Sequence, residues 1–236
     1  MIPNRLIVTY ISKAALDPLM RHCVQRMEDL HPDWDIQFFS DGDCEDFVRD
    51  QGEGFLDLYR WYPRPVQKAD FFRILAVWAM GGVYLDADVL LSRPLDPILK
   101  HQAVFPWEWE MGKPEFEVRF PKATRKGEKP LAVGQFAFAA EAKHPFLTDI
   151  IGEMVQRTGN FDAGQCTDLD VLHTTGPDVT TTCYYRNRQA WKENVTMLLG
   201  AADTKAGEAP VFGKDRWQRL GHYGRHLLNS GWHTER

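Results

Sequence analysis

The chain has 236 residues and is 44% hydrophobic, so it is long enough to bury the full core of one α/β domain. Its 28 basic and 33 acidic residues leave a formal net charge of −5, which argues against a dedicated nucleic-acid binder. The sequence contains no uninterrupted apolar run of about 18 residues, the length that could cross a membrane. We therefore expect a soluble, cytoplasmic protein. Peripheral attachment at a membrane, or an anchor outside the present sequence, is the alternative.

Hydrophobic periodicity predicts alternating strands and helices along the first part of the chain. The predicted elements are a strand at 5–10, a helix at 16–30, a strand at 35–39, short helices between 43 and 60, a helix at 67–80 and a strand at 83–91. Between the last two, a Gly-Gly pair at 81–82 is expected to end the helix, because glycine readily adopts the left-handed backbone conformation that ends helices.

Two charged residues interrupt the apolar helix at 67–80, whose hydrophobic side chains cover most of its circumference. Asp70 and Arg73 are spaced at i and i+3 and therefore lie on one face, where they could form a purely structural ion pair. The alternative is a ligand site. An aspartate can hold a sugar hydroxyl, and an arginine can neutralise phosphate oxygens.

Two carboxylates occupy the predicted strand at 83–91. Because side chains alternate along a strand, Asp86 and Asp88 should share one face with Tyr84. Neighbouring buried carboxylates repel each other and are costly to desolvate unless a cation or hydrogen-bond donors face them. Mg²⁺ and Mn²⁺ take such oxygen ligands, so the pattern predicts a metal site at this strand.

The second half of the chain continues the alternation. We predict a strand at 103–106, an irregular segment at 107–129, a strand at 132–140, a helix at 145–157 and a helix at 180–188. The irregular segment is either a solvated excursion or an acceptor-binding loop. Strands alternating with helices indicate a mostly parallel sheet with helices on both faces, and ligands bind beyond the carboxyl ends of such strands.

The order of these motifs is more specific than any one of them. Asp70-x-x-Arg73 is followed by Gly-Gly-Val-Tyr-Leu-Asp-Ala-Asp-Val at 81–89 and by Arg-Pro-Leu-Asp at 93–96. Further segments fit the same pattern: the opening strand at 2–10, Gly-Gln-Phe at 134–136, Thr-Gly-Pro at 175–177 and the stretch at 226–232. Together they resemble the DXD region and flanking elements of glycosyltransferase family 32, typified by a yeast mannosyltransferase, and the related glucosylating clostridial toxins.

The resemblance implies an α/β fold of the GT-A type, the nucleotide-diphospho-sugar transferase fold, in one domain over residues 1–236 with a mobile segment from about 221 to 236. It implies a metal-dependent glycosyltransferase that retains anomeric configuration. The donor would be a UDP- or GDP-sugar, and the acceptor would be a hydroxyl of a glycan, polysaccharide or protein. The cofactor would be Mn²⁺ or Mg²⁺.

The resemblance also assigns roles to particular residues. It implies catalytic roles for Asp86, Asp88 and Arg73, and it makes Asp86, Asp88 and His226 the metal ligands, with His222 as the competing third ligand. The implied donor contacts are Thr9, Tyr10, Asp70, Arg73, Tyr84, Asp86, Gln135 and Trp232.

Two other classes of function fit parts of the sequence. The run Asp-Ala-Asp-Val-Leu at 86–90 also matches the nucleophile motif of haloacid-dehalogenase-type phosphatases, although that motif usually lies close to the N-terminus. A catalytically silent sugar-binding relative is the other alternative. Hydrolysis of p-nitrophenyl phosphate separates a phosphatase from a transferase, and turnover separates an enzyme from a binding protein.

Overall fold

The computed structural model describes residues 1–121, 123, 130–159, 163–198 and 218–228. The helices in these residues are α1 Pro18–Leu30, α2 Asp41–Gln51, α3 Glu53–Trp61, α4 Pro65–Met80, α5 Lys113–Arg119, α6 Pro145–Thr158, α7 Asp168–Thr174, α8 Pro177–Arg186 and α9 Arg188–Trp191. The strands are β1 Arg5–Thr9, β2 Asp35–Phe39, β3 Gly82–Leu85, β4 Val89–Leu91, β5 Ala103–Glu110, β6 Leu131–Val133, β7 Ala137–Ala140, β8 Val195–Leu198, β9 Gln218–Leu220 and β10 Gly224–His226.

Within the described residues, the main sheet has seven strands in the order β2-β1-β3-β7-β5-β6, with β8 also paired to β5. Strands β2, β1 and β3 are parallel, β7 is antiparallel to β3 and β5, β6 is antiparallel to β5, and β8 is parallel to β5. Five of the seven strands (β1, β2, β3, β5 and β8) therefore run in one direction. The predicted mostly parallel sheet is confirmed, and the carboxyl ends of β1 and β3 meet at one edge.

Helices cover both faces of this sheet, as predicted. Alternation along β1 turns Ile7 toward a core cluster that includes Tyr84 and the apolar side chains of α4 and α6. Leu6 and Val8 point to the opposite cluster, which includes buried residues of α1. The sheet is thus buried on both sides, and α4 lies directly behind the strand that leads to the two carboxylates.

The Gly81-Gly82 pair ends α4 as the sequence predicted. Both residues have positive φ angles, 68° at Gly81 and 117° at Gly82. At Gly82 a Cβ atom would lie only 2.8 Å from the carbonyl oxygen of Arg5. A residue with a side chain is therefore disfavoured by both the backbone angle and the close approach of β3 to β1.

The predicted continuous strand at 83–91 is wrong. Strand β3 ends at Leu85, and β4 begins at Val89 in a separate three-stranded sheet of order β4-β10-β9. Between them the Val89 N–H donates to the Asp86 carbonyl at 3.0 Å, and the Asp86 N–H donates to the Phe136 carbonyl at 2.8 Å. These bonds turn the chain out of the main sheet, so Asp86 and Asp88 lie on a turn rather than on one face of a strand.

The segment predicted as irregular at 107–129 also differs from the prediction in its described part, whereas residues 122 and 124–129 lie outside the described residues. Strand β5 continues to Glu110, and α5 occupies Lys113–Arg119. Pro106 lies inside β5, although proline has no N–H to donate and is uncommon in the interior of sheets. The predicted strand at 132–140 is divided into β6 and β7, and the structure adds α7, β8, β9 and β10.

In the part of the chain described, no helix combines the length and apolar character needed to cross a membrane.

Candidate active site

The turn after β3 places two carboxylates at the carboxyl edge of the sheet. Asp86 follows β3 directly and is partly exposed, whereas Asp88 is buried. The Tyr84 hydroxyl, at the end of β3, donates to Asp86 Oδ1 at 2.6 Å. This bond orients one carboxylate oxygen and leaves the other facing Asp88 and the small sheet.

His226 reaches the same turn from the far end of the chain. Strand β10 is antiparallel to β4 and pairs His226 with Val89. The His226 Nε2 atom lies 3.1 Å from Asp88 Oδ1 and 3.7 Å from Asp86 Oδ2. One ligand atom from each of the three residues falls within 4.8 Å of the others, so the group could hold a metal ion. The two carboxylates suit Mn²⁺ or Mg²⁺, and the imidazole is a nitrogen ligand of the kind that transition metals accept, so the donor set fits Mn²⁺ better than Mg²⁺.

Close packing of β10 against β4 brings His226 to the turn. A Cβ atom on Gly224 would lie 2.5 Å from the Leu90 carbonyl oxygen, so the strands could not approach this closely with a side chain at that position. The Leu227 N–H also donates to the Asp88 carbonyl at 3.1 Å. The backbone of the C-terminal hairpin is therefore fixed to the turn that carries the carboxylates.

Arg73 links helix α4 to this group. Its guanidinium forms an ion pair with Asp70, lies 3.4 Å from Asp86 Oδ1, and donates to the Gln135 carbonyl at 3.1 Å. The other oxygen of Asp70 accepts the Thr175 hydroxyl at 2.9 Å. Asp70 and Arg73 thus form the ion pair that the sequence predicted as one of two alternatives. Arg73 also reaches Asp86 in the turn that carries the two carboxylates.

Burial changes the pKa values of the ionisable groups at the site. It raises the pKa of Asp70 to about 6, against the opposing effects of Arg73 and the Thr175 hydroxyl. Burial likewise raises the pKa of Asp86, although Arg73 and His226 act in the opposite direction. For Arg73 burial lowers the pKa, but the facing Tyr84, Asp86 and Asp70 outweigh it, so the guanidinium stays charged. A bound cation would offset the cost of keeping these carboxylates ionised.

Three buried polar atoms at or near Arg73 have no hydrogen-bond partner among the residues that the structure describes. Gln135 donates its side-chain amide to Gly176 and Thr180, which leaves Gln135 Oε1 unpartnered. Arg73 Nε and Glu108 Oε2 are also without partners. An unsatisfied buried polar group costs about 1–3 kcal/mol, so a ligand with hydroxyl groups would relieve this cost.

Glu108 connects this region to His226 through one further residue. Gln218 Nε2 donates to Glu108 Oε1 at 3.4 Å, and His226 Nδ1 lies 3.0 Å from Gln218 Oε1. Burial raises the pKa of Glu108 well above its usual range. The imidazole of His226 also stacks on Phe136, with ring centroids 4.7 Å apart and an interplanar angle of 9°.

The remaining predicted site residues occupy different surroundings. Thr9 and Tyr10 lie at the carboxyl end of β1, at the same edge as Asp86, but the Thr9 hydroxyl already donates to the Phe39 carbonyl at 3.0 Å. His222 is exposed in the turn before β10 and lies outside the possible metal group. Trp232 lies outside the described residues.

Sequence reasoning missed three residues of this region, namely Glu108, Thr175 and Gln218. The alternation Trp-Glu-Trp-Glu at 107–110 has the period of a strand and could have placed Glu108 on a buried face. Thr175 lay in a recognised turn without an assigned role. Gln218 carries no local signal, because only the fold of the C-terminal hairpin brings it to His226.

Residues 18–105 match the family described as "Glycosyltransferase sugar-binding region containing DXD motif". This range contains α4, β3, the carboxylate turn and β4, but it ends before Glu108, Gln135 and His226.

Curated relatives extend the similarity. The chain is 25% identical over 213 residues to mannosyl phosphorylinositol ceramide synthase CSH1 of Saccharomyces cerevisiae, covering 89% of this chain and 47% of that protein. It is 27% identical over 149 residues to inositol phosphoceramide mannosyltransferase 3 of Schizosaccharomyces pombe, covering 63% of this chain and 35% of that protein. The chain therefore spans less than half the length of these two relatives.

A solved structure supports the fold. The PaToxG glycosyltransferase superposes with a TM-score of 0.52 at 14% identity, covering 81% of this chain and 75% of that one. The predicted GT-A type of fold is confirmed, as is the resemblance to the DXD sugar transferases. In residues 18–105 and in its fold, the chain is similar to the DXD-containing glycosyltransferases.

Proposed function

We propose that this chain is a metal-dependent glycosyltransferase that moves a sugar from a nucleotide-diphospho-sugar to an acceptor hydroxyl with retention of configuration. The observation that carries the proposal is the convergence of Asp86, Asp88 and His226 within 4.8 Å beside the Arg73 guanidinium. Such a group combines a site for a metal ion with a guanidinium that can bind phosphate oxygens. Transfer from a nucleotide-diphospho-sugar requires both.

The residues of the site have distinct tasks in this proposal. Asp86, Asp88 and His226 would hold Mn²⁺ or Mg²⁺, and the ion would offset the negative charge of the diphosphate. Arg73 neutralises the charge that develops on the leaving phosphate as the glycosidic bond breaks. The leaving phosphate accepts the proton of the attacking hydroxyl on the same face of the sugar. Tyr84 orients Asp86 through its 2.6 Å hydrogen bond.

The sugar hydroxyls would bind the unpartnered buried atoms. Gln135 Oε1 and Glu108 Oε2 can accept hydroxyl protons, and Arg73 Nε can donate to a hydroxyl oxygen. Asp70 supports this region by holding Arg73, and it could also accept a sugar hydroxyl. Thr9, Tyr10 and Trp232 stay predicted donor contacts, with Tyr10 against the nucleobase. One domain over 1–236 with a mobile C-terminal segment also stays a prediction.

The identities of donor and acceptor follow from the relatives only as proposals. Both named relatives carry a mannosyl or mannosyltransferase name, so mannose is the first sugar to test. Their names also contain inositol phosphoceramide or phosphorylinositol ceramide, so the inositol phosphate headgroup of a ceramide lipid joins glycan, polysaccharide and protein as an acceptor to test. A cytoplasmic location, or peripheral attachment to a membrane, is part of the same proposal.

The comparisons favour a transferase over a haloacid-dehalogenase-type phosphatase, because the matched family and the relatives are glycosyltransferases. A silent sugar-binding relative would have the same metal group but no turnover.

The test is a thermal-unfolding panel of UDP- and GDP-sugars, including GDP-mannose, with and without Mn²⁺, followed by an assay for sugar release. A ligand at 100 times its Kd should stabilise the protein by about 2.7 kcal/mol. Stabilisation by no nucleotide sugar in the presence of Mn²⁺ would contradict the proposal.

A further inference from the structure

Three groups fix the imidazole of His226 before any ligand is bound. Phe136 stacks on one ring face at 4.7 Å, and Phe136 also accepts the backbone N–H of Asp86 through its carbonyl. Gln218 faces the Nδ1 atom at 3.0 Å, and Asp88 faces the Nε2 atom at 3.1 Å. The plane of the ring and the surroundings of both nitrogens are therefore set by the protein.

The hydrogen bond from Gln218 to Glu108 determines which end of the Gln218 amide faces His226. The Gln218 NH₂ group donates to Glu108 Oε1, and this leaves Gln218 Oε1 facing the histidine. A carbonyl oxygen accepts hydrogen bonds and cannot donate, so it requires a proton on His226 Nδ1. Glu108 Oε1 accepts the amide proton when the carboxyl group is ionised, and also when it is neutral with its proton on Oε2.

The position of the proton on Nδ1 determines what the Nε2 atom of His226 can bind. A histidine with its proton held on Nδ1 has only the Nε2 lone pair to offer to a cation, and Nε2 faces Asp86 and Asp88. Metal-binding histidines commonly donate their second N–H to a carboxylate or carbonyl oxygen, which fixes the tautomer and the ring orientation.

We propose that Glu108 and Gln218 are positioning residues that hold His226 in the Nδ1–H form, so that Nε2 completes the metal group formed by Asp86 and Asp88. This inference rests on the proposed function, because it requires a cation at that group. The Glu108-Gln218-His226 chain joins β5 of the main sheet to β9 and β10 of the small sheet, and it thereby couples the two sheets at the metal site.

The test measures Mn²⁺ affinity directly, by calorimetry or by the electron paramagnetic resonance signal of free Mn²⁺, so it needs no active enzyme. Replacing Gln218 by Met keeps the length of the side chain but removes the carbonyl acceptor. Loss of such an outer hydrogen bond typically weakens metal binding by about 10–100-fold, and we expect an effect in that range. The wild-type protein and Asp88→Asn are titrated beside it.

Two further variants separate positioning from folding. In the double variant Glu108→Gln with Gln218→Glu, the amide and carboxylate exchange places, so the chain of hydrogen bonds to His226 Nδ1 is kept. This protein should bind Mn²⁺ within about threefold of wild type. In a His226→Ala background, Gln218→Met should have no additional effect on Mn²⁺ affinity, because its effect acts through the imidazole.

The outcomes are distinguishable. Unchanged Mn²⁺ affinity in Gln218→Met would overturn the inference, as would an equal loss in the His226→Ala background. A wild-type protein that binds neither Mn²⁺ nor Mg²⁺, or whose binding is unaffected by Asp88→Asn, would overturn the metal site itself and with it the proposed function. If Gln218→Met is too unstable to measure, the exchanged double variant decides: an affinity loss of tenfold or more in a folded protein contradicts the inference.

Discussion

Two regions supply the candidate metal site, and they do so in different ways. The arm formed by α4 and β3 brings Asp70, Arg73 and Asp86 together within 17 consecutive residues. The hairpin of β9 and β10 brings Gln218 and His226 from more than 130 positions farther along the chain. The arm is built into the main sheet, whereas the hairpin, as far as the chain is described, pairs with the short strand β4 of the small sheet.

In the proposed function, the arm supplies the group that binds phosphate, and the hairpin supplies the third metal ligand. The polar groups of the arm are held by partners inside the main core, such as Thr175 and the Gln135 carbonyl. His226 depends on strand pairing at the edge and on the close approach allowed by Gly224. We therefore expect changes in the arm to alter catalysis and stability together, and changes in the hairpin to alter metal affinity with the main domain intact.

The largest effect is expected at the turn that the two regions share. Asp88→Asn keeps the shape of the side chain and removes one charge from the metal group, so turnover with Mn²⁺ should fall by about a thousandfold, or roughly 4 kcal/mol of barrier. Steady-state rates with the donor that stabilises the wild-type protein provide the measurement, and far-UV circular dichroism checks the fold. An active Asp88→Asn enzyme with unchanged metal dependence contradicts the metal role of this residue.

The next effect tests how strongly the arm is buried. The pKa of Asp70 is about 6 in the folded protein, against an ordinary value of 3.8. A raised folded pKa contributes stability that is fully present below pH 3.8 and is lost as the pH rises through about 6. The free energy of unfolding of wild type minus that of Asp70→Asn should therefore fall with rising pH, by at most about 3 kcal/mol between pH 4 and pH 7. Urea unfolding at several pH values measures this difference, and a pH-independent difference would show that burial does not govern Asp70.

A smaller effect distinguishes ligand binding from ion pairing within the arm. Arg73→Lys keeps the charge but loses the planar fork that reaches Asp70, Asp86 and the Gln135 carbonyl. If Arg73 contacts the donor diphosphate, we expect turnover to fall by about tenfold, or roughly 1.4 kcal/mol. Rate and melting temperature should be measured together. A lower melting temperature with an unchanged rate would make Arg73 a structural partner of Asp70 only.

The sequence predicted the arm better than the hairpin for a physical reason. The period of α4, the Gly81-Gly82 stop and the carboxylates at 86 and 88 are local features, and the parallel sheet follows from their alternation with neighbouring elements. The break at Asp86 was missed because it depends on a hydrogen bond from that residue to the Phe136 carbonyl, 50 positions away. His226 was identified through family resemblance, and Gln218 was not identified, because short edge strands carry little periodic signal of their own.

The most direct test of the whole account compares two histidines of the C-terminal hairpin region. His226 lies in the possible metal group, whereas His222 is exposed four residues earlier and serves as a matched control. Mn²⁺ affinity should be measured for His226→Ala and His222→Ala under identical conditions. We predict that His226→Ala weakens Mn²⁺ binding by about tenfold or more while His222→Ala leaves it unchanged. The reverse ranking, or equal and unchanged affinities, would contradict a metal site assembled from the turn after β3 and the distant strand β10.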